Sequence, residues 1–253
     1  MKVMVCGKGG SGKSSISVII AKILAKKKRV YLIDSDESNT LLPNLVGVKQ
    51  PRAIVEYLGG RKGLFDKGEV SIVKALAKAE KGIDLSKLPS DYISYSKEGI
   101  GLVTIGKVKN FQEGCACPLN FITKTILKNL VLNDKDFVIV DTDAGVEHIG
   151  RGVEEGCDAV IVVADPTAEA LSLAKTLKDA FKPLNKEFWL IINKATQDIV
   201  EIMREKAREF GLVIDGIIRF DNEVFKSCLQ GKPLKANEAV EDVKVALSQI
   251  GLL

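Results

Sequence analysis

Short apolar runs recur along the chain at Lys2 to Cys6, Val30 to Ile33, Ile100 to Ile105, Phe137 to Val140, Ala159 to Ala164, Phe188 to Ile192 and Val213 to Ile218. They are nearly continuous rather than alternating, which predicts strands buried on both faces, as in a parallel sheet. Helical periods fill most of the gaps between them; the run ISVIIAKILAKKK from Ile16 is the clearest. Strands alternating with amphipathic helices predict an α/β fold: a doubly wound, mostly parallel sheet with helices on both faces and right-handed crossovers. In such sheets ligands bind at the carboxyl ends of the strands. The interval from Asp36 to about Gly99 breaks the alternation. It holds short helical pieces around Leu41 to Val46, Ile54 to Leu58 and Val70 to Ala79, with Gly59, Gly60 and Gly63 as turns or hinges, and reads as an insertion on the sheet.

Composition narrows this only slightly. A chain of 253 residues with 46% hydrophobic content is ample for one large domain, expected to span residues 1–253. A net charge of +4 with 28% charged residues of both signs describes a solvated surface and no nucleic-acid partner. The basic run Lys26 to Arg29 reads either as a polyanion patch or as a cap offsetting a helix dipole. No apolar run approaches the ~20 residues of a spanning helix, and a functional loop at residue 7 leaves no room for a signal peptide, so a cytoplasmic location without a membrane partner is expected. Five irregularly spaced cysteines argue against a disulfide framework and for at least one metal or redox role.

The chemistry begins directly after the first strand, with GKGGSGKSS, residues 7–15. Gly7, Gly12, Lys13 and Ser14 satisfy G-x-x-x-x-G-K-[ST], the phosphate-binding loop. Its glycines, with Gly9 and Gly10, let backbone N–H groups converge on phosphate oxygens, its lysine reaches the β- and γ-phosphates, and its hydroxyl is placed for Mg²⁺. The helix that follows adds the positive end of its dipole. Gly7, Gly9 and Gly12 also satisfy the dinucleotide pattern G-x-G-x-x-G, with Asp34 near the position of a ribose-binding acid. Lys13-Ser14 after the last glycine, and a second acidic strand end at Asp141, decide for a nucleoside triphosphate.

Asp141 follows four apolar residues in FVIVD, as an acid presented to the Mg²⁺ shell does, while Asp34 and Asp36 end the second strand. Each aspartate also has an ordinary reading as a strand-end turn or helix cap. Gly145 is placed to sense a γ-phosphate. Asn193-Lys194 follows a strand as in a guanine-reading N-K-x-D loop, but Thr196 replaces the aspartate. Guanine selectivity thereby loses its source, leaving adenine, with Asn193 contacting the base. Asp221 reads equally as a neighbour of the base or as a helix N-cap. His148, the only histidine, reads as a loop contact, part of a switch or a metal visitor. In FQEGCACPLN, Cys115 and Cys117 flank an alanine ahead of a helix that Pro118 starts. Two thiolates do not complete a tetrahedral site; a two-fold axis through this loop would supply the other two. An inert or labile redox pair is the alternative. Cys6, Cys157 and Cys228 sit in apolar settings that suggest core packing.

Lys8 is foreign to an ordinary phosphate loop. With it, GKGGSGKS resembles the deviant Walker A motif of the MinD/ParA/NifH class of dimeric ATPases. That resemblance implies that Lys8 crosses to the partner's nucleotide, that Asp36 orients the attacking water, that Asp34 lies in the switch near Mg²⁺, and that Asp141 holds the metal's water shell. Within the class, E-G-C-x-C-P-x-N over Glu113 to Asn120 and DTDAGVEHIGRG over Asp141 to Gly152 resemble the CooC-type ATPases that mature nickel carbon monoxide dehydrogenase. Asp143 stands where partition and division-site relatives normally carry proline, and nitrogenase iron proteins use widely separated cysteines; Ser11 and Asp143 are small departures from the pattern. The resemblance implies a homodimeric ATPase using ATP and Mg²⁺, with zinc or nickel bridging the dimer on Cys115 and Cys117 and carbon monoxide dehydrogenase as client. A positioning ATPase and an iron–sulfur carrier are the alternatives.

Overall fold

Residues 1–57, 82–107, 117–143 and 152–253 are described by a computed structural model. Their strands and helices run β1 (Lys2–Cys6), α1 (Lys13–Leu24), β2 (Arg29–Asp34), α2 (Leu42–Val46), α3 (Ile54–Tyr57), β3 (Ser94–Tyr95), β4 (Gly101–Thr104), α4 (Cys117–Asn129), β5 (Asp136–Asp141), β6 (Ala159–Ala164), α5 (Ala168–Phe181), β7 (Glu187–Ala195), α6 (Val200–Glu209), β8 (Gly216–Arg219), α7 (Asn222–Gln230) and α8 (Glu238–Gln249). The strands form one eight-stranded sheet in the order β3-β4-β2-β5-β1-β6-β7-β8. Every pairing is parallel except that of β3 with β4.

Successive residues of a strand face opposite sides, and β1 shows the consequence. Val3 and Val5 belong to one core, with Ile16, Ile20 and Leu24 of α1, Leu42 of α2 and Val243 of α8. Met4 and Cys6 belong to the other, with Ile122 and Ile126 of α4, Leu171 and Leu177 of α5 and Met203 of α6. Each such buried aliphatic side chain contributes roughly 1.5–3 kcal/mol, so runs without polar interruption are stable only between two helical layers. The doubly wound, mostly parallel fold is the one expected.

The differences lie at the sheet's margins. The last strand occupies Gly216–Arg219 rather than Val213 to Ile218, and Val213 is 71% exposed. Asp215 stops the earlier part from pairing: its side chain accepts from Leu190 N–H at 2.7 Å, while its own N–H donates to Leu190 O at 2.8 Å. A Cβ at Gly216 would press on Ala246, so α8 packs directly against the backbone there. The antiparallel strand β3, two residues long, carried no apolar signal. The basic run divides: Lys26 and Lys27 are exposed, whereas Lys28 lies over the Phe137 ring and Arg29 grips Asp136 with two hydrogen bonds of 2.5 and 2.9 Å. Half of that run is therefore structural. Within the insertion, the pieces at Leu41 and Ile54 form α2 and α3; Val70 to Ala79, Gly59, Gly60 and Gly63 lie outside the described residues. Among the described residues, no helix is long and apolar enough to cross a membrane.

Candidate nucleotide-binding site

The sheet order places β1 between β5 and β6 and β2 beside β5. The loop leaving β1 therefore opens at the same sheet edge as both acidic strand ends; Asp34 and Asp141 are direct partners in the register of β2 and β5. The loop's shape requires glycine at two points. Gly7 has φ +139°, and a Cβ there would collide with the carbonyl of Val163 on β6; Gly12 has φ +95°, and a Cβ there would strike the Asn193 amide. Helix α1 begins at Lys13, so its unsatisfied N–H groups face the loop. Lys13 Nζ donates to Lys8 O at 3.2 Å, and Ser11 N to the same carbonyl at 3.2 Å. Gly9, Gly10, Gly12, Lys13, Ser14 and Ser15 line one side of a cavity of about 470 Å³ that continues past Asn193 to Phe220 and Phe225.

At the floor of the site Asp141 is fully buried. One of its oxygens accepts from Ser14 Oγ at 2.7 Å and the other from Ser17 Oγ at 2.9 Å. Burial pushes its carboxyl up to about 6, opposed by those two hydroxyls and by Lys13. Ser14 Oγ also accepts from Asn39 Nδ2 at 3.0 Å. A hydroxyl beside a carboxylate, backed by a second hydroxyl, is the hard oxygen donor set that Mg²⁺ favours, and the residues present fit that ion. Asp34, likewise fully buried, is pushed up to about 7 by burial, against the pull of Lys107, whose Nζ lies 2.7 Å from its carboxylate. Asp36 lines the cavity, and one of its oxygens accepts from Ser38 N at 2.8 Å, Ser38 Oγ at 2.6 Å and Asn39 N at 3.0 Å, the turn its ordinary reading anticipated.

Other expected residues are arranged less simply. Lys8 Nζ is paired with Glu169, in the first turn of α5 of the same chain, at 2.6 Å. Asn193 turns its amide toward the loop and donates to Ser11 O at 2.8 Å, while Lys194, at φ +62°, donates to Gly10 O at 2.6 Å. These two residues thus brace the phosphate loop as well as lining the cavity. Asp221 lines the cavity too, but its carboxylate accepts from Glu223 N, Val224 N, Asn237 N and Ala239 N at 2.6 to 3.2 Å. Burial works against its charge, yet these donors outweigh it and hold its carboxyl below the usual range. Its hydrogen bonds are those of the N-cap of α7, extended to the start of α8, so the cap reading and a place in the cavity lining hold together. Cys6 and Cys157 are buried in the core as expected, both pushed up to about 12 by burial. Cys228 is a partial correction: it packs at the edge of the core but also lines the cavity, 3.3 Å from Ser15 Oγ. Gly145, His148 and Cys115 lie outside the described residues, and Cys117 is the first residue of α4. Among the described residues, no group of three or more metal-ligating side chains assembles.

Ser17, Asn39 and Lys107 were missed by sequence reasoning. Ser17 had a usable signal, since it stands three residues after Ser14 on one helix face. Asn39 and Lys107 had none, because the chain positions that bring them to the acids are set by tertiary packing.

A phosphate loop between central parallel strands, with an acid at the end of the neighbouring strand, defines a P-loop nucleotide-binding protein. Residues 2–234 match the model of the CobQ/CobB/MinD/ParA nucleotide binding domain, and the chain belongs to that family of nucleotide-binding ATPases. It is 40% identical over 252 residues to an uncharacterised ATP-binding protein of Methanocaldococcus jannaschii, spanning 98% of this chain and 100% of that one. It is also 27% identical over 270 residues to the carbon monoxide dehydrogenase accessory protein CooC of Rhodospirillum rubrum, spanning 99% and 98%. The septum site-determining protein MinD from Pyrococcus horikoshii, complexed with Mg-ADP, shares the fold with a TM-score of 0.70 over 98% of this chain and 95% of that one, at 14% identity.

Proposed function

We propose that this ATPase is a nucleotide-controlled homodimer that holds zinc or nickel between Cys115 and Cys117 of its two subunits and delivers nickel to carbon monoxide dehydrogenase. The observation that carries the reading is the attachment of α4, the helix that begins at Cys117. Its Thr123 meets Ser35, directly after Asp34, hydroxyl to hydroxyl at 3.1 Å. Its Lys124 and Lys128 pair with Glu155 at 2.6 and 2.5 Å, in the turn Val153–Gly156 that closes the segment leaving Asp141. The cysteine-bearing helix is thus tied to the chain beyond both acids. The full-length similarity to CooC and the unbroken E-G-C-x-C-P-x-N sequence support the same reading.

In this reading the loop N–H groups and Lys13 bind the phosphates, Ser14 and Asp141 hold Mg²⁺, with Asp34 beside them, and Asp36 orients the attacking water. Bound Mg²⁺ supplies charge neutralisation at the β- and γ-phosphates. Lys8 leaves Glu169 and reaches the nucleotide of the partner; a cation so supplied is worth roughly 10³–10⁵ in rate, by analogy with arginine fingers. Soft thiolates accept zinc and nickel alike, so the cargo is set by supply and client. Metal analysis across gel filtration tests the proposal: a dimer carrying about one zinc or nickel per pair of chains, abolished by Cys115→Ser, is expected. Labile sulfide with visible colour, or ATP-dependent binding to liposomes or DNA, would replace it with the carrier or positioning reading.

A further inference from the structure

Lys107 stands three residues beyond β4, and its ammonium is gathered into the segment that leaves β2: it meets the Asp34 carboxylate at 2.7 Å, Asp36 O at 2.5 Å and Asn39 O. A carboxylate and two carbonyls around one centre are a hard oxygen set of the kind that holds a small cation, here filled by a lysine of the chain itself. The side chain is 15% exposed and the carboxylate 0%, so salt does not screen this pair as it does a surface pair. The two carbonyls belong to the first and last residues of one turn, 36–39, which the Asp36 carboxylate closes from inside by accepting from Ser38 N, Ser38 Oγ and Asn39 N. The end of that turn reaches the phosphate loop. Asn39 Oδ1 accepts from Leu41 N at 3.0 Å, which directs Asn39 Nδ2 toward Ser14 Oγ, also at 3.0 Å, and Ser14 Oγ in turn donates to Asp141 at 2.7 Å. One nitrogen thus fixes both ends of the turn that carries Asp36, and through Asn39 it braces the hydroxyl beside Asp141.

We infer that Lys107 is a positioning residue for ATP hydrolysis, a built-in cation that holds the turn of residues 36–39 in its working shape before nucleotide arrives. The inference rests on the proposed roles of Asp36 and Ser14 and deepens them. Mg²⁺ comes and goes with the nucleotide, whereas the ammonium stays. A turn shaped in advance costs no reorganisation at the moment of reaction. The phosphates are held by the loop N–H groups and Lys13, not by this turn, so losing the ammonium should show in kcat rather than in KM. A displacement of about 1 Å in a group that orients a reactant can cost about 10²-fold in rate.

The test is steady-state ATP hydrolysis by the full chain with Mg²⁺, read by phosphate release. Lys107→Met should lower kcat and kcat/KM together by about 10²-fold with KM close to the wild-type value, the mark of an interaction that serves the transition state alone. Chemical rescue separates positioning from a merely structural role. An open cavity of about 600 Å³ lined by Lys107, Gln50, Arg52 and Thr104 gives a small amine a route to the site. Methylammonium should therefore restore at least about 10-fold of the kcat lost in Lys107→Ala, whereas tetramethylammonium, with the same charge and no N–H donor, should restore nothing. If the single variants do not fold, Asp34→Asn with Lys107→Met carries the test, because no buried carboxylate is then left unpaired. That pair should turn over at least about 10-fold more slowly than Asp34→Asn alone, since the Asp36 and Asn39 carbonyls lose their donor as well. Equal turnover of those two proteins, wild-type kcat in Lys107→Met, or a Lys107→Ala defect indifferent to methylammonium would overturn the inference and leave the ATPase reading intact. A wild type that binds ATP without hydrolysing it would overturn that reading, and the inference with it.

Discussion

The burial of Asp141 has a consequence for stability that can be measured without any nucleotide. Its carboxyl is pushed from 3.8 to about 6, chiefly by burial and despite the hydroxyls of Ser14 and Ser17. A folded-state value above the unfolded one means that the native chain prefers the protonated acid. The group imposes no penalty below the unfolded value, and its cost grows as pH rises through the interval up to the folded one. Over roughly two pH units at ~1.4 kcal/mol each, that cost comes to about 3 kcal/mol at neutral pH. Asp141→Asn removes the charge at nearly constant shape, and the serine hydroxyls can rotate to keep both contacts. The variant should therefore be more stable than the wild type at pH 7.5 by up to about 3 kcal/mol, roughly 6–12 °C in Tm for a chain of this size. Near pH 4 the advantage should have nearly vanished. Mg²⁺-dependent nucleotide affinity should fall as the apo stability rises, the exchange expected where a strained group serves function. Urea unfolding of the apo proteins across pH 4 to 8 reads the difference directly. A variant no more stable than the wild type at pH 7.5, or one whose advantage persists undiminished into acid, would refute the reasoning.

Three further outcomes follow from particular contacts. Gly12→Ala must adopt φ +95° with a Cβ against Asn193, and should lose about 1–3 kcal/mol of stability together with most nucleotide affinity, measured by thermal melts and by titration with a fluorescent ATP analogue. Asp221→Ala leaves four backbone donors without their acceptor; a loss of about 2–4 kcal/mol in urea unfolding is expected, roughly two caps' worth. Lys8→Ala should bind nucleotide normally but lose at least about 10³-fold in hydrolysis and its nucleotide-driven dimerisation, as read by phosphate release and sedimentation; unchanged turnover would remove the trans role.

The sheet was legible in the sequence because two-sided burial leaves unbroken apolar runs. Lys2 to Cys6 and Ala159 to Ala164 coincide with β1 and β6 residue for residue. The phosphate loop was legible because its backbone geometry demands glycine, as Gly7 and Gly12 show. What escaped were features decided by a few local hydrogen bonds or by distant packing. Asp215 delays the last strand with one side-chain bond, and β3 is too short to leave any pattern. At the site, Ser14 and Asp141 could be placed together from their motifs, whereas Lys107 reaches Asp34 across 73 positions of chain with no motif of its own. The four N–H donors that make Asp221 an N-cap were likewise beyond what spacing encodes, and they stand beside its place in the cavity lining.

Sedimentation with metal analysis, repeated on one preparation with Mg²⁺-ADP and then with Mg²⁺ and a non-hydrolysable ATP analogue, tests the central claim most directly. The account predicts that the analogue drives the chain into a dimer holding a single zinc or nickel ion on Cys115 and Cys117 of both subunits, and that the metal's hold differs between the two nucleotide states. A chain that sediments as a monomer in both states, or a dimer whose metal content is untouched by Cys115→Ser and Cys117→Ser, would contradict it.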